Sequence, residues 1–229
     1  MIFGKIDYLN LLPFHVFLKR SNLQNSFKKS IEIKKGVPSH LNKALYNRRI
    51  NAAIISSIES RRSKYKKLDM GVVAKKEVIS VLVRKNSKFL LDPASMTSNM
   101  LSAVLKLKGE VIIGDRALKN YLKDGKESFY DMGEIWNKKT NLPFVFARFC
   151  YTKNASLYKS LVKNFLSQKV KIPRYILQNY SKSREISPND IKWYLNYITY
   201  KIDKKEKIAL KMFLQKSRKM NFNPIYKEK

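Results

Sequence analysis

The stretches GVVAKKEVISVLVR at residues 71–84 and LPFVFARFCY at residues 142–151 decide the architecture. Both are dense in β-branched and aromatic residues, the composition of a buried strand. The first reads as one long strand or two linked strands. The second reads as an extended strand opened by Pro143, a position where a missing backbone N–H does little harm. Between them lies a compact segment of about sixty residues, a small lobe by the usual size of domains. It holds FLLDP, the helical pattern SMTSNMLSAVLKLKG, the strand EVIIGD and the helix YDMGEIWNKKTN with Trp136 near its middle. The runs near 78–84 and 144–151 are expected to pair as two hinge strands. Lobe one is then residues 1–83 and 148–229, lobe two is residues 84–147, and a ligand cleft lies between them.

Outward from the hinge, the first part of the chain alternates strand and helix patterns. IFGKID reads as a strand, LLPFHVFLKR as a helix start, SIEIKKG as a strand, PSHLNKALYNRR as a helix and NAAIIS as a strand. Such alternation predicts an α/β fold. After Asn154 the sequence reads as helical to its end, through SLYKSLVKNFLSQKV, PRYILQNYSKS, PNDIKWYLNYITY and KKEKIALKMFLQKSRKM, all with apolar residues at three- and four-residue spacing.

Composition excludes several classes. With 44% hydrophobic residues, thirteen Tyr and twelve Phe, the chain can bury a core and is not disordered. The net charge of +31, from 48 Lys plus Arg against 17 Asp plus Glu, is spread along the whole length and is mostly lysine. That distribution suits a solvated surface, so a nucleic-acid partner is not expected, although a small polyanion would be attracted. One cysteine, Cys150, excludes a disulfide framework, and two histidines supply no zinc-ligand spacing. No P-loop, GxGxxG, CxxC or HExxH is present, so the chemistry is expected to need no cofactor and no metal. MIFGKIDYLNLLPFHVF lacks the sections of a secretory signal, and no apolar run approaches the ~20 residues of a membrane span, which predicts a cytoplasmic protein without a membrane partner.

Four polar clusters stand out, three after predicted strands, where open α/β sheets bind ligands, and one at a helix start. Asn10 in YLNLLP can both donate and accept, which suits a hydroxyl or a carboxylate, and it can equally be a helix cap. Ser56, Ser57 and Glu59 close the NAAIIS strand, with ordinary capping as the alternative. Ser95, Thr97 and Ser98 surround the start of a strong helix, whose unpaired N–H groups favour an anion, though N-capping explains the same residues. Asp115 follows Gly114 directly and can accept a substrate hydroxyl, help transfer a proton, or cap the next helix. His15 and His40 read as surface or partly packed residues rather than catalysts.

Six segments in order, GKIDYLNLLPF (4–14), NAAIISSIE (51–59), VISVLV (78–83), LDPASMTSNML (91–101), EVIIGDRAL (110–118) and DMGEIWNKKTNLPFVFA (131–147), resemble the menaquinone-biosynthesis family of periplasmic-binding-protein-like enzymes, in particular the chorismate dehydratases. The resemblance implies a type II periplasmic-binding-protein-like fold and a carbon–oxygen lyase of the futalosine route to menaquinone, turning chorismate, a dicarboxylate, into 3-[(1-carboxyvinyl)oxy]benzoate and water. By position it places Asn10, Ser56 and Ser57 in the cleft from lobe one, Ser80 from the first hinge strand, and Ser95, Thr97, Ser98 and Asp115 from lobe two. Asn10, Ser57 and Asp115 are the expected catalytic residues and the remaining five the substrate-binding ones. Asn10 is expected to orient the substrate's enolpyruvyl carboxylate, which itself takes the ring proton. Ser60 and Ile79 stand where the family often has tyrosine and arginine, and Arg84 or Arg148 is the expected replacement cation. The rival readings are the sister enzyme that forms a dihydroxynaphthoate later in the pathway, and a non-enzymatic binder of small anions.

Overall fold

In the computed structural model, which describes residues 2–220, strand and helix alternate into two separate sheets. The strands are β1 (Phe3–Ile6), β2 (Lys35–Gly36), β3 (Ala52–Ser56), β4 (Lys66–Ala74), β5 (Val81–Arg84), β6 (Glu110–Ile113), β7 (Phe129–Asp131), β8 (Phe144–Tyr151) and β9 (Ile198–Lys201). The larger sheet has the order β2-β1-β3-β8-β4-β9 and the smaller β6-β5-β7. β1 runs parallel to β2 and β3, while β8 is antiparallel to both β3 and β4. All residues of β1 and β3 are buried, which is why these runs are mostly apolar instead of alternating, with Lys5 the one charged residue among them.

GVVAKKEVISVLVR is two strands. Gly71–Ala74 ends β4 in the large sheet, Lys75–Ser80 cross over, and Val81–Arg84 form β5 at the centre of the small sheet. The partner of β8 is therefore β4, with Val72 opposite Ala147 and Ala74 opposite Phe144, while the run at 78–84 pairs with β6 and β7. The break is enforced by Asp131. This buried carboxylate accepts N–H bonds from Val78 (3.0 Å), Ile79 (2.7 Å) and Glu134 (3.0 Å), and it holds Ile79 at a φ of 62°, which a β-branched residue rarely adopts.

Two further expectations are corrected. SIEIKKG is the end of the helix Asn25–Ile33 followed by the two-residue β2, because Phe27 and Ile31, four apart, bury one helical face against the core. The final region is not helical throughout: Ile198–Lys201 leave the helix pattern to become β9, paired antiparallel to β4. Core aromatics tie the ends of the chain together. The rings of Phe14 and Phe165 are 4.9 Å apart and those of Phe3 and Phe149 5.8 Å, edge-on or tilted as their quadrupoles prefer. Trp136 donates to Pro143 O (3.1 Å) and meets Phe213 of the helix Lys204–Arg218. No helix among the described residues is long and apolar enough to cross a membrane.

Gly71 leaves no room for a side chain between β4 and β8, since a Cβ there would lie 2.0 Å from the Ala147 carbonyl oxygen. Gly71→Ala must push these two paired strands apart. It is expected to lower the thermal unfolding midpoint by at least about 5 °C, and an unchanged midpoint would contradict this packing.

Candidate active site

The starts of several helices converge between the two sheets, following the carboxyl ends of β1, β3 and β6. From the large sheet come the 3-10 turn Leu9–Leu11, the helix Pro38–Tyr46 and the short helix Ser57–Ser60. From the small sheet come the helices Met96–Leu105 and Gly114–Asp124. Bonds cross between the groups: Ser39 N–H donates to Ala94 O (3.0 Å), Ile58 N–H to Thr97 Oγ1 (3.2 Å) and Leu9 N–H to Asp115 Oδ1 (2.9 Å). The helix starts bring their partial positive charges to the same region, a field suited to a dianion, although several of their first-turn N–H groups are already bonded within the protein. Gly114, at a φ of 65°, lets the Tyr8 ring lie flat on the backbone, because a Cβ would come within 2.9 Å of it.

The eight expected site residues all lie along this region, but most of their polar atoms are already used. Ser56 Oγ accepts from Asn42 Nδ2 at 2.5 Å. Ser57, fully buried, donates to Val145 O at 2.6 Å and so braces β8. Thr97 caps the Ser57–Ser60 helix through Ile58. Ser95 is the N-cap of the helix Met96–Leu105, accepting from Ser98 N–H at 3.2 Å, while its hydroxyl meets that of Ser98 at 2.8 Å. Ser80 Oγ accepts from the Tyr194 hydroxyl at 2.8 Å. Asn10 differs: its Oδ1 is buried with no hydrogen-bond partner among the described residues, which a fold tolerates rarely and which calls for a functional account. Its backbone carbonyl accepts from the Tyr200 hydroxyl at 2.7 Å.

Asp115 belongs to a charged relay that sequence reasoning did not find. Arg184 donates through Nε to Asp115 Oδ2 (3.2 Å) and through an Nη to Asp7 Oδ2 (3.0 Å) and to the Asp7 carbonyl (3.0 Å). Lys5, almost wholly buried, lies 3.1 Å from the other Asp7 oxygen, and Tyr180 donates to it at 3.2 Å. Burial raises the Asp115 pKa against the pull of Leu9 N–H and Arg184. At Asp7 burial also opposes ionisation, but Lys5 and Arg184 outweigh it and hold the carboxyl at about 2. With two protein donors on its carboxylate, Asp115 acts as a bridge from the small sheet to Leu9 and Arg184.

The expected replacement cations are elsewhere: Arg84 pairs with Asp124 (2.9 Å), and Arg148 with Leu68 O and Asp69. His15 is buried in the core with its pKa pushed down to about 3, chiefly by desolvation, and is neutral, whereas His40 is exposed. An open groove of about 1400 Å³, rimmed by Lys75, Lys192 and Lys201, contains none of the eight residues. The converging helix starts, with a buried free acceptor among them, are the stronger site.

Two sheets linked by two short crossings of the chain, at residues 75–80 and 141–143, with helix starts facing the space between, define a periplasmic-binding-protein-like fold. Solved structures agree. A protein of Archaeoglobus fulgidus superposes with a TM-score of 0.68 over 94% of this chain and 96% of its own at 12% identity. A Candida albicans protein described as having the generic periplasmic binding protein fold gives 0.52 over 98% and 92%, also at 12% identity. The menaquinone biosynthesis family matches residues 1–108 and 89–219, and the chain belongs to that family. A chorismate dehydratase of Campylobacter jejuni is 55% identical over 222 residues, covering 96% of this chain and 99% of that protein.

Because the Asp7 pKa is depressed in the folded state, its stabilising effect is present above the unfolded value near 4 and is lost as pH falls through about 2. Denaturant unfolding of wild type and Asp7→Asn should therefore differ most at about pH 5 and converge toward about pH 2. A gap that stays constant over that range would contradict the ion pairs drawn here.

Proposed function

We propose that this protein is a cytoplasmic enzyme that dehydrates chorismate to 3-[(1-carboxyvinyl)oxy]benzoate, the entry to the futalosine route to menaquinone, in a cleft between two lobes. The observation that carries this reading is 55% identity over almost the whole chain to a chorismate dehydratase. The lobes are taken to divide where the chain crosses between the sheets, at residues 75–80 and 141–143 instead of at 83 and 148. β5 belongs wholly to the small sheet and β8 wholly to the large one.

The reaction removes a ring proton beside the enolpyruvyl ether, expels the neighbouring hydroxyl as water, and leaves an aromatic ring. Aromatisation supplies the driving force, so the protein's task is to hold a flexible dianion in one reactive conformation. The helix start at Ser95–Ser98 and its neighbours favour the two carboxylates. No unpaired strong base stands among the converging residues, and the substrate's enolpyruvyl carboxylate takes the proton. Of the three residues first expected to be catalytic, Asn10 keeps that role as the group that orients the substrate. Asp115 supports it from behind through Leu9 and Arg184, while Ser57 braces β8 through Val145.

Purified protein incubated with chorismate and no added cofactor should abolish the diene absorbance and yield a product lighter by one water. Asn10→Ala should retain the fold but lose about a hundredfold or more in kcat/KM. Unchanged chorismate with folded wild-type protein would contradict the proposed activity, and full activity in Asn10→Ala would remove Asn10 from the site.

A further inference from the structure

The groove of about 1400 Å³ that holds none of the eight site residues is built from parts of the chain far apart in sequence. Its floor is apolar. Phe165, Leu177 and Ile198 are buried there, while Leu166, Val170 and Leu195 are only half-buried. Its rim is cationic. Lys75, Lys169, Lys192, Lys204 and Lys205 line it, all exposed, and among the described residues none of them has an ion pair or a side-chain hydrogen bond. The two acids on the same wall are already committed. Asp203 pairs with Lys201 at 3.0 Å, and Asp203 and Glu206 accept from one another's backbone N–H in the capping box of the helix Lys204–Arg218.

Two features of this groove cost the fold stability and gain it nothing. Lys204 and Lys205 are the first two residues of their helix, where the positive end of the dipole disfavours a cation. The half-buried apolar floor stays open to water beside a ring of mutually repelling charges. An anion with an apolar body relieves both: its head neutralises the rim and its body covers the floor. A bare anion would meet only exposed lysines, screened by salt, and a neutral apolar molecule would leave the charges unopposed. The volume exceeds the roughly 300–1,000 Å³ of ordinary small-ligand pockets, which leaves room for a body longer than the substrate's single ring.

We propose that this groove is a second binding site, for an amphipathic organic anion such as a long-chain carboxylate, and that its occupant acts on the hinge. Lys75 belongs to one crossing between the sheets, and Asn141 and Pro143 to the other. Tyr200, also on the wall, holds the Asn10 carbonyl. An occupant touching both crossings holds the sheets at their present angle. In this arrangement Ser56, Ser57, Ser80, Thr97 and Ser98 are at most 2% exposed, so a substrate must part the sheets to reach them. A ligand that favours the closed arrangement opposes that step by its differential affinity. The binding site stands apart from the proposed dehydratase activity, and only the effect on turnover rests on it.

Calorimetric titration with decanoate at about 0.15 M salt tests the site, with acetate and the neutral octyl glucoside, below its micelle concentration, as probes of head and body alone. Wild type should bind decanoate saturably, one per chain, and each control at least about tenfold more weakly. Lys192→Glu combined with Lys204→Glu should weaken decanoate by about tenfold, and so should Val170→Asp on the floor. Lys29→Glu combined with Lys43→Glu, which removes the same charge outside the groove, should leave it within about twofold. Equal loss in the two double variants would reduce the effect to overall charge and overturn the site. Sedimentation with phosphatidylglycerol vesicles, without saturable decanoate binding, would overturn it in favour of a membrane surface. Saturating decanoate should also lower kcat/KM for chorismate by about threefold or more in wild type and not in the Lys192→Glu, Lys204→Glu variant. Bound decanoate without that effect would overturn the action on the hinge. Decanoate bound by a wild type that leaves chorismate unchanged in its absence would count against the dehydratase reading and not against the site, so the two failures are distinguishable.

Discussion

Arg184 is the residue on which the arrangement of the two sheets depends. A single guanidinium binds Asp7, at the end of the first strand of the large sheet, and Asp115, at the first turn of the helix that follows β6 in the small one. Asp115 in turn accepts from Leu9 N–H, in the turn that carries Asn10. The planar fork of arginine can serve two carboxylates at once with little loss of freedom per bond, and a lysine could not do the same. Removing one partner would leave a partly buried charge uncompensated, so the three charges hold one another and the sheets in register.

The small polar side chains along the cleft divide into two groups under that constraint. Ser56, Ser57, Thr97 and Asp115 are committed to the protein, and each bond stiffens a junction between segments distant in sequence. Among the described residues, Asn10 Oδ1 is left without a partner at the meeting point. A rigid set of neutral groups and helix ends suits the proposed reaction, whose product is aromatic and where orientation matters more than a strong base. The large excess of lysine adds a long-range attraction for a dianion that weakens with salt.

Strand and helix alternation made the α/β class legible in the sequence, and the six family-like segments made the fold and activity legible with it. Long-range pairing was not legible. VISVLV and LPFVFA are equally apolar, and nothing local says that β8 pairs with β4 while β5 pairs elsewhere. β9 was hidden because ITYK continues an amphipathic helical pattern, and only the edge of β4 makes it a strand. The candidate site residues were picked from local signals, a polar residue at the end of a strand or at the start of a helix. Their occupancy was not legible, since the partners of Asn10, Ser80 and Asp115 are Tyr200, Tyr194 and Arg184, all from the region without a motif. Three tyrosines within YLNYITY, more than one buried helix face needs, were the available signal there.

The most direct measurement is a crystal structure of the protein with its product, 3-[(1-carboxyvinyl)oxy]benzoate. Product lying between the Leu9–Leu11 turn, Ser80 and the helix start at Ser95–Ser98, with its ring edge beside Asn10, is the predicted result. Product bound instead in the groove rimmed by Lys75, Lys192 and Lys201, with the converging helix starts empty, would contradict the account.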